Sequence, residues 1–305
     1  MLSFIMPSGH ENSLLPLFWT DRYVNLHASV HKILSIEVSS SNFALFTFSD
    51  LDILKSPGRA TFGGFWPSEM TGGVDLNYAL RAYKYFFSKF SEFNEVKIVL
   101  PPQVFFPEIY ASQAKALMMF DANQIIVDTN YHVEVENWSK NNLNKGNRKK
   151  IRQFYEVGGV VSYSNSDAIK QCYKVLVENR KRRGVSLTMQ YADFESSLLV
   201  CGEDFKLIQA SLEKQIVAAC YLVRILPNYW YVLFWGELIE FRSLSPVASL
   251  FEFLMEEAQK NNVKILDLGI SSVEGVLDEG LARFKSNLGA LPSEKITVTV
   301  NLIQH

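Results

Sequence analysis

The sequence predicts an α/β protein (α+β under some schemes) with mixed, largely antiparallel sheets flanked by helices. Three observations carry that expectation. Apolar runs follow one another at Phe205–Leu212, Ile216–Ile225 and Trp230–Gly236, with turn signals at Glu213-Lys214 and Pro227-Asn228 between them. A helical stripe comes next: Val247, Leu250, Phe251, Leu254, Met255 and Ala258 recur at helix spacing, and VKILDLG then reads as a short buried strand. The first half of the chain repeats a similar, shorter αβ order, and 305 residues are enough for two such layers.

In chain order, Lys32–Val38 and Asn42–Phe48 read as strands joined through Ser39-Ser40-Ser41. The Gly- and Pro-rich stretch that follows, with Arg59, Phe62, Phe65 and Trp66, reads as a long loop. Leu76–Phe90 is helical, Val96–Leu100 a strand, Pro107–Phe120 a helix, and Gln124–Asp128 and Tyr131–Val135 two further strands. A basic helix bearing Lys145, Arg148, Lys149, Lys150 and Arg152 ends at Gly158-Gly159, and we place the domain boundary near residue 140. Beyond it come a strand at Val160–Tyr163, a helix at Asp167–Arg183 closed by Gly184, and a short helix at Ala192–Val200. Ser245 is a suitable N-cap for the helix that opens with Pro246, and Asn261-Asn262 end it. A short helix at Gly280–Leu288 has Gly289 as its C-cap, and Lys295–Ile303 alternates as a final strand.

Composition excludes several classes. Hydrophobic residues make up 48% of the chain, so a large core forms. A net charge of −2 and a pI near 6.2 oppose a general nucleic-acid binder but leave room for a local basic patch. Cys172, Cys201 and Cys220 are odd in number and lack CxxC spacing, which reads as reduced core thiols. No uninterrupted apolar run reaches membrane-spanning length and the N-terminus lacks the basic start of a signal peptide, so the expectation is a cytoplasmic protein without a span. His27 and His31 are four apart, but no carboxylate or Cys cluster completes a metal set. The chain contains no G-x-S-x-G, P-loop or dinucleotide fingerprint.

RSLSP at Arg242–Pro246, a helix, ILDLG at Ile265–Gly269, and GLARFKSNLGA at Gly280–Ala290 together resemble the C-terminal half of the Fem-type transferases. These are tandem acyltransferase-fold proteins of the GNAT superfamily, and they include aminoacyl-tRNA-dependent peptidyltransferases of cell-wall synthesis. The resemblance extends more weakly back to about Asn141 and faintly into the N-terminal half. It implies two GNAT-like domains: residues 1–140, and residues 141–294. The closing strand 295–305 would return to the first domain.

The resemblance puts Lys285, of the Phe284-Lys285 pair, at the transfer site, where an ammonium can stabilise an oxyanion. Alternatively, Lys285 is a solvated lysine beside a core phenylalanine. Arg242, Ser243 and Ser245 precede the helix whose N-terminus would face the donor. The span FRSLSPVAS has no glycine, unlike the pyrophosphate loop of an ordinary GNAT protein, and that weakens the case for coenzyme A. Ser245 also has a sufficient role as a helix cap.

Arg180 and Arg183 end a helix, where cations offset the dipole; the resemblance adds that this end faces the cleft. Arg148 and Arg152 are candidate phosphate contacts or a solvated helix face. Arg59 is a candidate acceptor contact or part of a loop capping the core. On the central strands, Tyr221 and Tyr231 are candidate general acids and Trp235 a candidate cleft wall, although strand aromatics more often serve as core. Asp267, at a strand end, is a candidate base or a turn anchor.

The expected function is N-acyl transfer to an amine acceptor, such as a cell-envelope or saccharide precursor, in a cleft between the two halves. The donor would be an acyl-CoA or an aminoacyl-tRNA, with no metal. The alternative is a catalytically silent fold that binds a phosphorylated saccharide or peptide precursor. The sequence leaves the oligomeric state open.

Overall fold

The computed structural model describes residues 15–39, 42–68 and 74–302, and packing divides the chain into two units after Asn130 rather than near residue 140. The first unit holds the described residues up to Asn130, with Ser272–Leu277 and the chain from Ser293. Its elements are α1 (Asp21–Leu26), β1 (Lys32–Ser39), β2 (Asn42–Asp50), β3 (Leu54–Ser56), β4 (Gly64–Pro67), α2 (Leu76–Ser88), β5 (Glu95–Val99), α3 (Pro107–Met118) and the start of β6 (Ala122–Glu134). β1 and β2 pair antiparallel, with Ile36 opposite Ala44; the connecting Ser40 and Ser41 lie outside the described residues.

The last strand of the chain, which we number β14 (Leu291–Asn301), pairs antiparallel with β5, Thr297 opposite Val99. The strand order is β1-β2-β3-β5-β14-β6, with β4 on β2. Phe46 of β2 stacks on Phe86 of α2, ring centroids 4.3 Å apart, in a core that also holds Val96, Ile98, Val298 and Val300.

Two expectations change here. The expected long loop is strand at Gly64–Pro67 (β4), and the segment before it packs onto the core. Phe62 and Phe65 are fully buried, and Ser56 Oγ ties the segment down by donating to Thr47 O at 2.5 Å and accepting from Gly64 N at 2.8 Å. The two strands expected at 124–128 and 131–135 are one continuous strand, β6, because Thr129-Asn130 carries no turn geometry. Asn130 is instead buried, its amide donating to Ser293 Oγ.

The second unit comprises Tyr131–Ser271 and Asp278–Pro292. Its elements are α4 (Lys145–Glu156), β7 (Val160–Tyr163), α5 (Ile169–Arg182), α6 (Tyr191–Val200), β8 (Phe205–Leu212), β9 (Gln215–Leu226), β10 (Tyr229–Glu237), α7 (Pro246–Lys260), β11 (Ile265–Ile270) and, after the small hairpin β12 (Ser272–Val273) and β13 (Val276–Leu277), α8 (Glu279–Ser286). From the end of β6 the order is β11-β10-β9-β8-β7. β7 to β10 are antiparallel, and β10 runs parallel to β11 with Tyr231 opposite Asp267.

Side chains alternate along β9, so Leu222 joins the core formed with α7 while Tyr221 faces α6. Helices therefore cover both faces of this sheet. The helical stripe found in the sequence is the buried face of α7: Val247, Leu250, Phe251, Leu254, Met255 and Ala258 are all buried. Each large side chain in such a stripe stabilises the unit by about 1.5–3 kcal/mol.

Candidate active site

β10 and β11 run parallel, and polar groups gather where β11 ends. Asp267 is fully buried on β11 and has both oxygens engaged. Oδ2 accepts the Tyr229 hydroxyl at 2.5 Å and Oδ1 accepts the Gly269 N–H at 2.7 Å. Gly269 has φ 75°, where a side chain is strained, and a Cβ there would lie 3.3 Å from the Tyr231 hydroxyl. The backbone thereby turns, exposing the carbonyls of Gly269 and Ile270 to α8.

Lys285 of α8 meets those carbonyls. Its amine donates to Gly269 O at 2.7 Å and to Ile270 O at 2.8 Å, and lies 5.8 Å from the centroid of the Tyr131 ring. The side chain is 1% exposed, so the solvated reading of Lys285 is overturned. Burial, opposed by the Asp267 carboxylate and reinforced by Arg183 and Arg180, lowers its pKa to about 7. An ammonium has three donors, and two are satisfied by the carbonyls, leaving one N–H when charged or one lone pair when neutral. The same amine can therefore stabilise an oxyanion or take a proton without moving.

The rim of this centre comes from the end of α5 and the start of α8. Arg183 donates to Asp278 at 2.7 Å, and Asp278 caps α8 by accepting from Leu281 N at 2.9 Å. Arg180 lies over the Phe234 ring at 5.6 Å, and burial followed by the Arg183 charge lowers its pKa. Burial and then Asp267 raise the pKa of Tyr231, so its phenol stays protonated. Lys285, Asp267, Arg180, Arg183 and Tyr231, named from the sequence, therefore act on one another. Trp235 borders this group through Phe284, ring centroids 5.8 Å apart.

Other expected residues lie elsewhere. Tyr221 is a core residue and not a general acid: it is fully buried, stacked on Phe194 at 4.2 Å, and its hydroxyl donates to Phe194 O at 3.1 Å. Arg59 belongs to the first unit, where its backbone N–H donates to His31 Nδ1 and its carbonyl accepts the Tyr23 hydroxyl. Arg152 is exposed and pairs with Glu156 one helical turn on, and Arg148 is exposed beside Asn141.

Ser245 occupies the N-cap position of α7 but does not cap it with its side chain. It has φ 49° and ψ 57°, and its side chain makes no cap bond. The Glu237 carboxylate, from the end of β10, does this instead by accepting the Val247 N–H at 3.3 Å. Burial raises the Glu237 pKa; the Val247 N–H, Arg242, Lys150 and Arg182 oppose that rise, so three cations act on this one carboxyl group. Arg242 and Ser243 are exposed in the preceding turn.

Sequence reading missed Tyr229, Glu237 and Asp278. The alternation in YWYVLFW puts Tyr229 on the face of Tyr231 and could have revealed the first; nothing local signals that Glu237 reaches across to α7. Among the described residues no group of three His, Cys, Asp or Glu side chains is placed to hold a metal, and no helix is long and apolar enough to cross a membrane.

Residues 141–286 match the family model described as an acetyltransferase (GNAT) domain. FemX is similar in structure, with a TM-score of 0.69 at 15% identity over 97% of this chain and 94% of that one. The C-terminal domain of a putative lysylphosphatidylglycerol synthetase from Agrobacterium fabrum gives 0.58 at 10% identity, covering 91% and 87%. L-PGS from Bacillus licheniformis gives 0.55 at 12%, covering 90% and 85%. No curated protein matches the chain in sequence. The chain has an α/β, Fem-like GNAT fold, the fold of acyltransferases.

Proposed function

We propose that this chain is an N-acyltransferase that moves an aminoacyl group from an ester donor to an amine acceptor at the Lys285 centre. The observation that carries the proposal is the buried Lys285 amine, held by two carbonyls with one position left over. As the acceptor amine attacks the acyl carbon, the carbonyl oxygen becomes an oxyanion, which the remaining Lys285 N–H stabilises. The amine loses a proton, the ester C–O bond breaks, and the leaving hydroxyl gains a proton. A lysine with a pKa of about 7 suits that proton traffic. No covalent enzyme intermediate is needed, and positioning supplies much of the rate.

Glu237 favours an ester over coenzyme A as donor. A carboxylate on the α7 N-terminus repels a pyrophosphate from the N–H groups that would otherwise cradle it. The glycine-free turn before α7 points the same way. Lys150, Arg182 and Arg242 around that carboxylate, with Arg148 exposed on α4, suit the backbone of an aminoacyl-tRNA despite the net charge of −2. One similar structure is named as a putative lysylphosphatidylglycerol synthetase, whose product carries a lysyl group. An amine-bearing cell-envelope precursor, made in the cytoplasm, fits as acceptor.

The test is transfer of a radiolabelled amino acid from charged tRNA to amine acceptors, including cell-wall peptide precursors, beside thiol release from acetyl-CoA. Transfer that is lost in Lys285→Met supports the reading; a Lys285→Met protein as fast as wild type overturns it. Glu237 also favours the catalytically silent alternative. Thermal stabilisation by a sugar nucleotide, with no turnover of either donor, would establish that reading instead.

A further inference from the structure

A cavity lies in the same unit at the other end of the sheet from the Lys285 centre, where β10 begins rather than where β11 ends. It has a volume of about 510 Å³ and is lined by the starts of β8 and β10, the end of β9 and the last turn of α7. That volume is typical of small-molecule sites. Its walls are apolar at Leu198, Phe205 and Leu207, and Arg224 and Trp230 bring polar atoms to it.

Those two residues sit directly opposite each other on β9 and β10, with the Arg224 guanidinium 5.7 Å from the centroid of the Trp230 ring. Arg224 Nε and Trp230 Nε1 are both buried and have no hydrogen-bond partner among the described residues. Trp230 is 2% exposed. The only hydrogen bond of the Arg224 side chain among the described residues is a long one from Nη1 to Glu203 O at 3.3 Å.

Burying unsatisfied donors costs roughly 1–3 kcal/mol each, so their persistence asks for a reason. The nearby Glu257 carboxylate makes no hydrogen bond to either atom and is engaged by other donors. Glu257 Oε2 accepts the Tyr163 hydroxyl at 3.1 Å and Oε1 accepts Lys260 at 2.8 Å. Lys206, the other cation of the cavity, donates to Gly202 O at 2.8 Å. Both unpaired atoms are N–H donors that cannot accept, so what complements them is an acceptor, and a guanidinium calls for an anionic one.

We propose that this cavity binds a small organic carboxylate with an apolar or aromatic body. The carboxylate takes its hydrogen bonds from Arg224 and satisfies the Trp230 side of the pair, and the body extends across the cavity toward Leu198. A doubly charged phosphate is disfavoured because Glu257 shares the cavity. The proposal is independent of the transfer reaction at Lys285.

The experiment is isothermal titration of the full chain with phenylacetate, 4-methylpentanoate and indole-3-acetate, each beside its uncharged amide, and with phenyl phosphate. Indole N–H signals are followed by NMR in parallel, the Trp230 signal being assigned by its loss in Trp230→Phe. The expected result is binding of at least one carboxylate, at least tenfold tighter than its amide and than phenyl phosphate. Binding should weaken at least tenfold in Arg224→Gln and shift the Trp230 signal. Should Arg224→Gln fail to fold, the wild-type Trp230 shift and the carboxylate-to-amide ratio decide the matter. Equal affinity for acid and amide, a Trp230 signal that stays in place, or no binding by any of the three carboxylates at 10 mM overturns the proposal.

Discussion

The Glu237 carboxylate accepts the Val247 N–H at the first turn of α7, in the position where the fold would otherwise offer unpaired N–H groups to an anion. Coenzyme A should therefore bind weakly to the wild type. Glu237→Gln keeps an acceptor for Val247 while removing the charge, and should tighten coenzyme A about tenfold, or roughly 1.4 kcal/mol, by titration calorimetry. Unchanged affinity would mean that the carboxylate does not govern donor choice.

Lys285 joins α8 to the end of β11 and also supplies the proposed reacting amine. Lys285→Met should lower transfer per folded molecule by about 100-fold or more, the effect of losing one oxyanion donor. A purely structural lysine would lower Tm and leave transfer by the folded fraction intact. Measuring both on one preparation separates the two roles.

The lowered pKa of Lys285 has a consequence for stability. The unfolded lysine holds its proton up to about 10.5, whereas the folded one loses it near 7. Between those values the unfolded state binds more protons, so stability should rise with pH from about 7 to 10. The contribution is present above the unfolded pKa and lost as pH falls through the folded one. Its slope should be at most about 1.4 kcal/mol per pH unit, read from denaturant melts against Lys285→Met.

Asp267 raises the pKa of Lys285 and anchors Tyr229 and the Gly269 turn. Asp267→Asn should move the basic limb of the kcat/KM profile, where the Lys285 ammonium is lost, to lower pH and cost about 1–3 kcal/mol of stability. A pH profile that stays in place would disconnect the two residues. Tyr221→Phe, in contrast, loses a core hydrogen bond to Phe194 O. It should cost about 1 kcal/mol in melts and leave turnover unchanged.

In the first unit, His31 is fully buried, accepting Arg59 N–H at Nδ1 and donating from Nε2 to Phe18 O. Burial lowers its pKa from 6.5 to about 4. Stability contributed by the neutral ring is present above pH 6.5 and falls as pH drops from there through 4. His31→Gln should flatten that part of the stability curve; an identical curve would assign the acid sensitivity to other groups.

Periodicity alone determined the main elements of the second unit. The three strands from Phe205 to Glu237, the buried stripe of α7 and the strand through Asp267 follow from spacings that local stereochemistry makes visible. The Phe284-Lys285 pair and Asp267 stand out in the sequence, and the fold buries Lys285 and Asp267 within electrostatic reach of each other. Only the tertiary structure decided what those residues are to one another. Whether Lys285 is solvated or buried depends on where β11 turns, and that depends on a positive φ at Gly269 held by Asp267. Whether Ser245 caps α7 depends on a carboxylate at the end of a different strand. Whether Tyr221 can reach a substrate depends on Phe194 covering it. Spacing encodes which face of an element is apolar. Which polar group on that element finds a partner is set by backbone distant in the chain, and so appears only once the chain is folded.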